Sequence, residues 1–231
     1  MTSYCGTPPV PIEIWSRWNF DPFLLGGLAL WLVAVRAADR PRLALMAWGV
    51  LAVLFVSPLC ALSVSLFSAR TLHHLILVGA AAPLLALAFP RGPRLGAVLP
   101  LVLFAATLWA WHLPALYEAS QAGTASYWAM QASLLATATL FWQGALRQPP
   151  IPAIATLVAA TAQMGLLGAV LTFAREPLYP WHESTTLAWG MTQLADQQLG
   201  GLVMWAPGML PFAACVLWVA ARIKRQGLAS A

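Results

Sequence analysis

Residues 151–173, IPAIATLVAATAQMGLLGAVLTF, run for twenty-three positions without one charged side chain. A hydrocarbon core about 30 Å thick takes roughly 20 apolar residues as a helix, so this stretch reads as a membrane span. The rest of the chain repeats the pattern. Apolar stretches run over residues 22–35, 43–62, 71–89, 95–112, 126–146 and 194–221. Proline-bearing turns separate several of them, as at Arg40-Pro41, Gly92-Pro93 and Gln148-Pro149-Pro150. The expectation is an all-α, polytopic membrane bundle of about seven spans. Residues 1–20 form a Pro-rich interfacial arm, 21–222 the transmembrane domain and 223–231 a basic tail.

Composition agrees. Of 231 residues, 61% are hydrophobic and 8% charged, against roughly 25% charged in soluble domains. This excludes a soluble enzyme or a nucleic-acid-binding module, and makes the bilayer an expected partner. No P-loop or Rossmann glycine pattern is present, and no nucleophile–base pair has a recognisable context, so catalysis has no support. Cys5, Cys60 and Cys215 show no C-x-x-C spacing, which argues against a disulfide framework.

Charge sidedness orients the spans. Arg36, Arg40, Arg42, Arg91, Arg94, Arg147, Arg222, Lys224 and Arg225 fall on one side, and Arg17, Arg70 and Arg175 on the other. Six of the seven acids share the second side, Asp39 being the exception. The positive-inside rule then puts the N-terminus outside and the C-terminus in the cytoplasm, which requires an odd number of spans. Trp15, Trp18, Trp111, Trp128, Trp142 and Trp181 read as interfacial anchors.

His73, His74, His112 and His182 all fall on the outer side. His73 and His74 diverge by about 100° on a helix, so at most one points straight into the bundle. His112 precedes the turn at Pro114, His182 lies in a loop as a solvated residue, and Asp196 opens the last span, where an acid suits a helix N-terminus. Glu118 and Glu183 read as surface acids. Imidazole, thioether and thiolate ligands all suit copper. The candidate set is therefore His74, His112 and Asp196, with His73, Met130, Met164 and Cys60 as further donors. The small residues Gly79-Ala80-Ala81-Ala82, Gly165 with Gly168, and Gly200-Gly201 read as close helix-packing faces.

Five blocks, in order, carry a family resemblance: Phe67-Ser68-Ala69-Arg70 with His74-Leu75 and Ala82-Pro83-Leu84-Leu85; Trp111-His112-Leu113-Pro114; Phe141-Trp142; Leu166-Leu167-Gly168-Ala169 with Pro177-Leu178-Tyr179; and Asp196-Gln197-Gln198-Leu199-Gly200-Gly201 with Met204-Trp205. Together they resemble the multi-spanning CtaG family of cytochrome c oxidase assembly factors, associated with caa-type oxidases. The resemblance covers residues 20–222. It implies a bacterial inner-membrane protein that helps mature a haem–copper oxidase by way of its copper centre, with oxidase subunits as partners. His74, His112 and Asp196 match the family's polar positions. Where members often carry a further histidine, this chain reads Met130-Gln131-Ala132. Competing readings are a metal-free structural chaperone or associated oxidase subunit, and a b-type haem or quinone protein.

Overall fold

The computed structural model describes residues 3–93 and 95–229, with side chains as far as residue 225. Arg94 and the last two residues of the expected tail lie outside the described residues. Among the described residues there are ten α-helices: α1 (Pro22–Val35), α2 (Pro41–Val56), α3 (Pro58–Ser65), α4 (Phe67–Ile76), α5 (Ala82–Ala88), α6 (Val98–Trp111), α7 (Pro114–Ala122), α8 (Thr124–Leu146), α9 (Pro150–Thr172) and α10 (Gln193–Ala229). No strand occurs among the described residues.

All seven apolar stretches are helical, but they do not qualify equally as spans. By length and composition, Phe67–Ala88, Pro150–Thr172 and Gln193–Arg225 can cross a membrane. The pairs α2–α3, bent by 50°, and α6–α7, bent by 74°, raise the number to five. Helix α1 has 14 residues and reaches only about 21 Å at 1.5 Å per residue. Helix α8 is long enough, yet Ser, Thr and Gln punctuate it.

The bends have local causes. Ser57 closes α2 and caps α3, accepting the Leu59 N–H, and Pro58 occupies the first position of α3. The same grammar starts α7 at Pro114. Helices α4 and α5 join through a π-helical turn, Leu77–Ala81. Such a turn disturbs the regular ladder, and the Val78 carbonyl within it accepts the Trp142 indole N–H at 2.8 Å. Trp142 and Trp181 are therefore core residues, not the interfacial anchors expected, whereas Trp15 is 80% exposed. Helix α10 runs unbroken through Pro207 and Pro211.

Helices α9 and α10 form the tightest crossing. A Cβ on Gly201 would sit 2.6 Å from Thr172 N and 2.7 Å from Gly168 O, so backbone meets backbone there. Gly79 has the same function against α10, where a Cβ would meet Pro211 at 2.8 Å.

The two ends of the bundle differ in chemistry. At one, Arg91 pairs with Asp39 (2.6 Å) and Arg147 donates to Pro93 O (2.8 Å) and Gly92 O (3.1 Å). At the other, the N-terminal arm, the start of α4, α7 and the loop of residues 173–192 come together around all four histidines.

The cysteines correct the sequence reading. Cys5 and Cys60 form a disulfide, with Cα atoms 5.5 Å apart. It pins the N-terminal arm to α3, which no local spacing could announce because 55 residues separate the partners.

Candidate functional site: the histidine end of the bundle

Helix α4 begins without a capping side chain of its own, since Leu66 occupies its N-cap. Its first N–H groups must find an acceptor elsewhere. Asp196, 129 residues away on α10, supplies it. The carboxylate accepts Phe67 N–H at 2.6 Å, Ser68 N–H at 3.2 Å and the Ser68 hydroxyl at 2.5 Å. Asp196 is fully buried. Asp196, a candidate metal ligand from the sequence, thus caps the start of another helix from a distance, with both oxygens occupied.

The glutamines around it do related work. Gln193 donates to Tyr179 O (2.7 Å), Gln197 accepts Leu178 N–H (2.6 Å) and Gln198 donates to Ala174 O (3.1 Å). The first turns of α10 therefore stitch down the 173–192 loop.

That loop delivers His182 into the interior, correcting its reading as a solvated residue: it is 1% exposed. Its Nδ1–H donates to Ser65 O at 3.1 Å, and its Nε2 accepts the Tyr117 hydroxyl at 2.7 Å. Both ring nitrogens are satisfied, so His182 is a structural link between the loop, α3 and α7. Glu118 is likewise more than a surface acid, accepting the Trp181 N–H at 3.1 Å. Glu183 is exposed.

Burial pushes the His182 imidazole down to about 3; the Ser65 hydrogen bond opposes the shift and the Arg70 charge adds to it. The folded ring binds a proton less tightly than the unfolded one, whose pKa is about 6.5. Its contribution to stability is therefore whole above that value and is lost as pH falls toward about 3. The melting temperature is expected to fall across this window, with a shallower slope in His182→Gln. Equal slopes would show that acid sensitivity lies elsewhere.

The other three histidines keep nitrogen atoms to spare. His112 donates Nδ1–H to Leu108 O (2.7 Å), which leaves Nε2 as the lone-pair nitrogen. His73 donates Nε2–H to Leu54 O (3.1 Å), and its Nδ1 is buried with no partner. His74 is 4% exposed, and its Nε2 is also unpartnered. His74 lies within electrostatic reach of His73, Arg70 and His112.

Sequence reasoning passed over Arg70. It is 1% exposed, donates Nε–H to Ser63 O (3.2 Å) and Nη2–H to Gln121 Oε1 (2.7 Å), and lies 5.5 Å from the centre of the Tyr127 ring. Among the described residues it forms no ion pair with a carboxylate. An arginine immediately before the apolar stretch of residues 71–89 is the available signal, and the helix in fact begins earlier, at Phe67, which takes Arg70 into it.

The sulfur donors lie apart from this picture. Met130 and Met164 are fully buried in the main hydrophobic core. Cys60 is corrected as a thiolate candidate, because its sulfur is bonded to Cys5. No group of three or more His, Cys, Asp or Glu side chains is arranged to hold a metal among the described residues.

A model of the cytochrome c oxidase caa3 assembly factor family (Caa3_CtaG) matches residues 13–226. The chain belongs to this family. No curated protein and no solved structure is significantly similar to it. For a member of an assembly-factor family, the histidine end gains a context: it is the part of the bundle where polar side chains with unused nitrogens gather. The match begins within the N-terminal arm and ends within α10, so it covers nearly the whole chain.

Proposed function

We propose that this protein is a non-catalytic, seven-span assembly factor for a haem–copper oxidase of the bacterial inner membrane, with its N-terminus outside and its C-terminus cytoplasmic. The family match carries the assembly role. The orientation is supported by the basic residues at the end opposite the histidines. The Cys5–Cys60 disulfide supports it independently, since such bonds persist in oxidising compartments and this one lies at the histidine end. The partners are then oxidase subunits, met within or at the outer face of the bilayer.

The finer reading is a copper relay at His74 and His112. The residues fit a low-coordinate Cu(I) in chemistry: two neutral imidazoles with nitrogen lone pairs uncommitted to the protein. His73, Met130 and Met164 stand as further donors. Copper bound there would be in transit to the oxidase. The buried Arg70 charge beside His74 disfavours a permanently held cation, which suits hand-over better than storage. Asp196 acts in this reading by holding the start of α4, and with it His73 and His74, in place.

Metal content and an optical spectrum, measured on protein purified in mild detergent with Cu(I) under reducing conditions, test the relay. The expected result is a single copper per chain, lost in both His74→Ala and His112→Ala. Copper-free wild type would overturn it. A specific observation then favours the metal-free chaperone: Asp196, His182 and Cys60 are all committed to structural bonds. A Soret band would instead support the haem reading.

A further inference from the structure

Helices α1, α2 and α8, with Tyr4 of the N-terminal arm, line a cleft of about 350 Å³. Phe23, Gly27 and Trp31 line it at successive turns of α1, giving it a length of about 12 Å at 1.5 Å per residue. Phe55 and Trp128 contribute an aromatic wall, with ring centres 5.2 Å apart. No charged side chain lines it.

Two polar groups on this lining lack partners. Gln131 is 2% exposed, and neither its Oε1 nor its Nε2 has a hydrogen-bond partner. Its neighbour Tyr127 directs its hydroxyl to the disulfide, 3.5 Å from Cys5 Sγ and 3.7 Å from Cys60 Sγ. The Trp31 indole N–H is buried and unpartnered too. Buried polar atoms in native proteins are overwhelmingly satisfied, so each orphan calls for an explanation. In a site lined by apolar and aromatic groups, a few convergent polar atoms are what orients a small ligand.

We propose that this cleft binds an uncharged, lipid-soluble ring compound with oxygens at opposite ends, of the quinone or quinol class. The missing charges exclude an ionic ligand. An acyl chain would leave all three polar atoms unpaired. A flat ring against Phe55 and Trp128 places one oxygen at the Gln131 carboxamide, which can both donate and accept, and a second toward the Trp31 N–H. Gly27 is the port: a Cβ there would meet nothing within 4 Å, so the wall is open at that point. The assembly and copper readings make no use of this cleft and do not depend on it.

The test is photolabelling of the full chain in lipid nanodiscs with an azido-benzoquinone, in competition with a decyl-tailed benzoquinone. Saturable labelling is expected on peptides of α1 and α8. Gln131→Met keeps the volume and removes the hydrogen bonds, and should weaken competition roughly tenfold, as the loss of about one good hydrogen bond does. Gly27→Leu should block labelling by filling the cleft. Both variants are checked for wild-type melting temperature, and Gln131→Met alone decides if Gly27→Leu folds poorly. Labelling that does not saturate, that Gln131→Met leaves unchanged, or that fails because a bound phospholipid is not displaced would overturn the proposal.

Discussion

Asp196→Ala is expected to melt at a temperature roughly 6–12 °C below wild type, the shift that about 3 kcal/mol produces in a chain of this size. The carboxylate satisfies two backbone N–H groups and a hydroxyl at the start of α4. Losing an N-cap costs about 0.5–2 kcal/mol, and leaving buried donors without an acceptor adds roughly 1–3 kcal/mol. Alanine does both, in a site where water does not replace the lost acceptor. Ser68→Ala removes only one of the three donors and should cost about 1 kcal/mol. Thermal unfolding of the purified variants, followed by circular dichroism, measures both. Should Asp196→Ala melt with wild type yet lose copper, the acid would be a ligand, and the capping account would fail.

Gly201→Leu is expected to prevent close packing of α9 on α10 and to abolish accumulation of folded protein. Even alanine is too large, since its Cβ would lie 2.6 Å from Thr172 N and 2.7 Å from Gly168 O. Those neighbours are backbone atoms that cannot rotate away. Overpacking usually costs about 1–3 kcal/mol, and the branched side chain in a backbone-to-backbone contact belongs at or above that range. Gly168→Leu should fail in the same way, since a Cβ there would lie 2.9 Å from Gly201 O. Gly26→Ala is the control. Nothing lies within 4 Å of its Cβ, and alanine's helix propensity should add up to about 1 kcal/mol. Yield and melting temperature of the three variants check the contrast. A well-folded Gly201→Leu protein would mean that α9 and α10 do not cross here.

How legible the molecule was depended on the range of the interaction. The apolar stretch at residues 151–173 became α9 nearly to the residue, because twenty-odd apolar positions between prolines state a helix locally. The break at Leu113-Pro114 is just as local, whereas the apolar stretch of residues 43–62 runs on in the sequence through the break that the structure makes at Ser57-Pro58. Pro114 marks the end of one apolar stretch and also starts α7. The sequence places His74 and His112 at the same end of the bundle as the N-terminus, and only the structure gives their ring environments: His112 Nδ1–H donates to Leu108 O, and His74 Nε2 is buried without a partner.

Other features had no local signature. His182 looked like a loop residue, and only the loop's descent onto Ser65 and Tyr117 buries it. Trp142 looked interfacial, and the π turn in the facing helix gives its indole a carbonyl. Arg70 reads from the sequence only as a charge on the outer side. Its burial against Tyr127 and Gln121 depends on how α4, α7 and α8 meet.

By itself, the sequence determined that the chain is helical and apolar, that its charges lie unequally at the two ends, and which polar residues share an end with the N-terminus. Hydropathy, proline and charge act within a few residues, so a linear reading captures them. The tertiary structure alone decided what each polar group does. Asp196 caps α4 rather than its own helix, Cys60 is bonded to Cys5, and Gln131 faces a cleft with no partner. Each outcome is a hydrogen bond, a covalent bond or a void formed by segments from 55 to 129 residues apart, or by three different helices. Such contacts are selected by the geometry of packing, which no local pattern encodes.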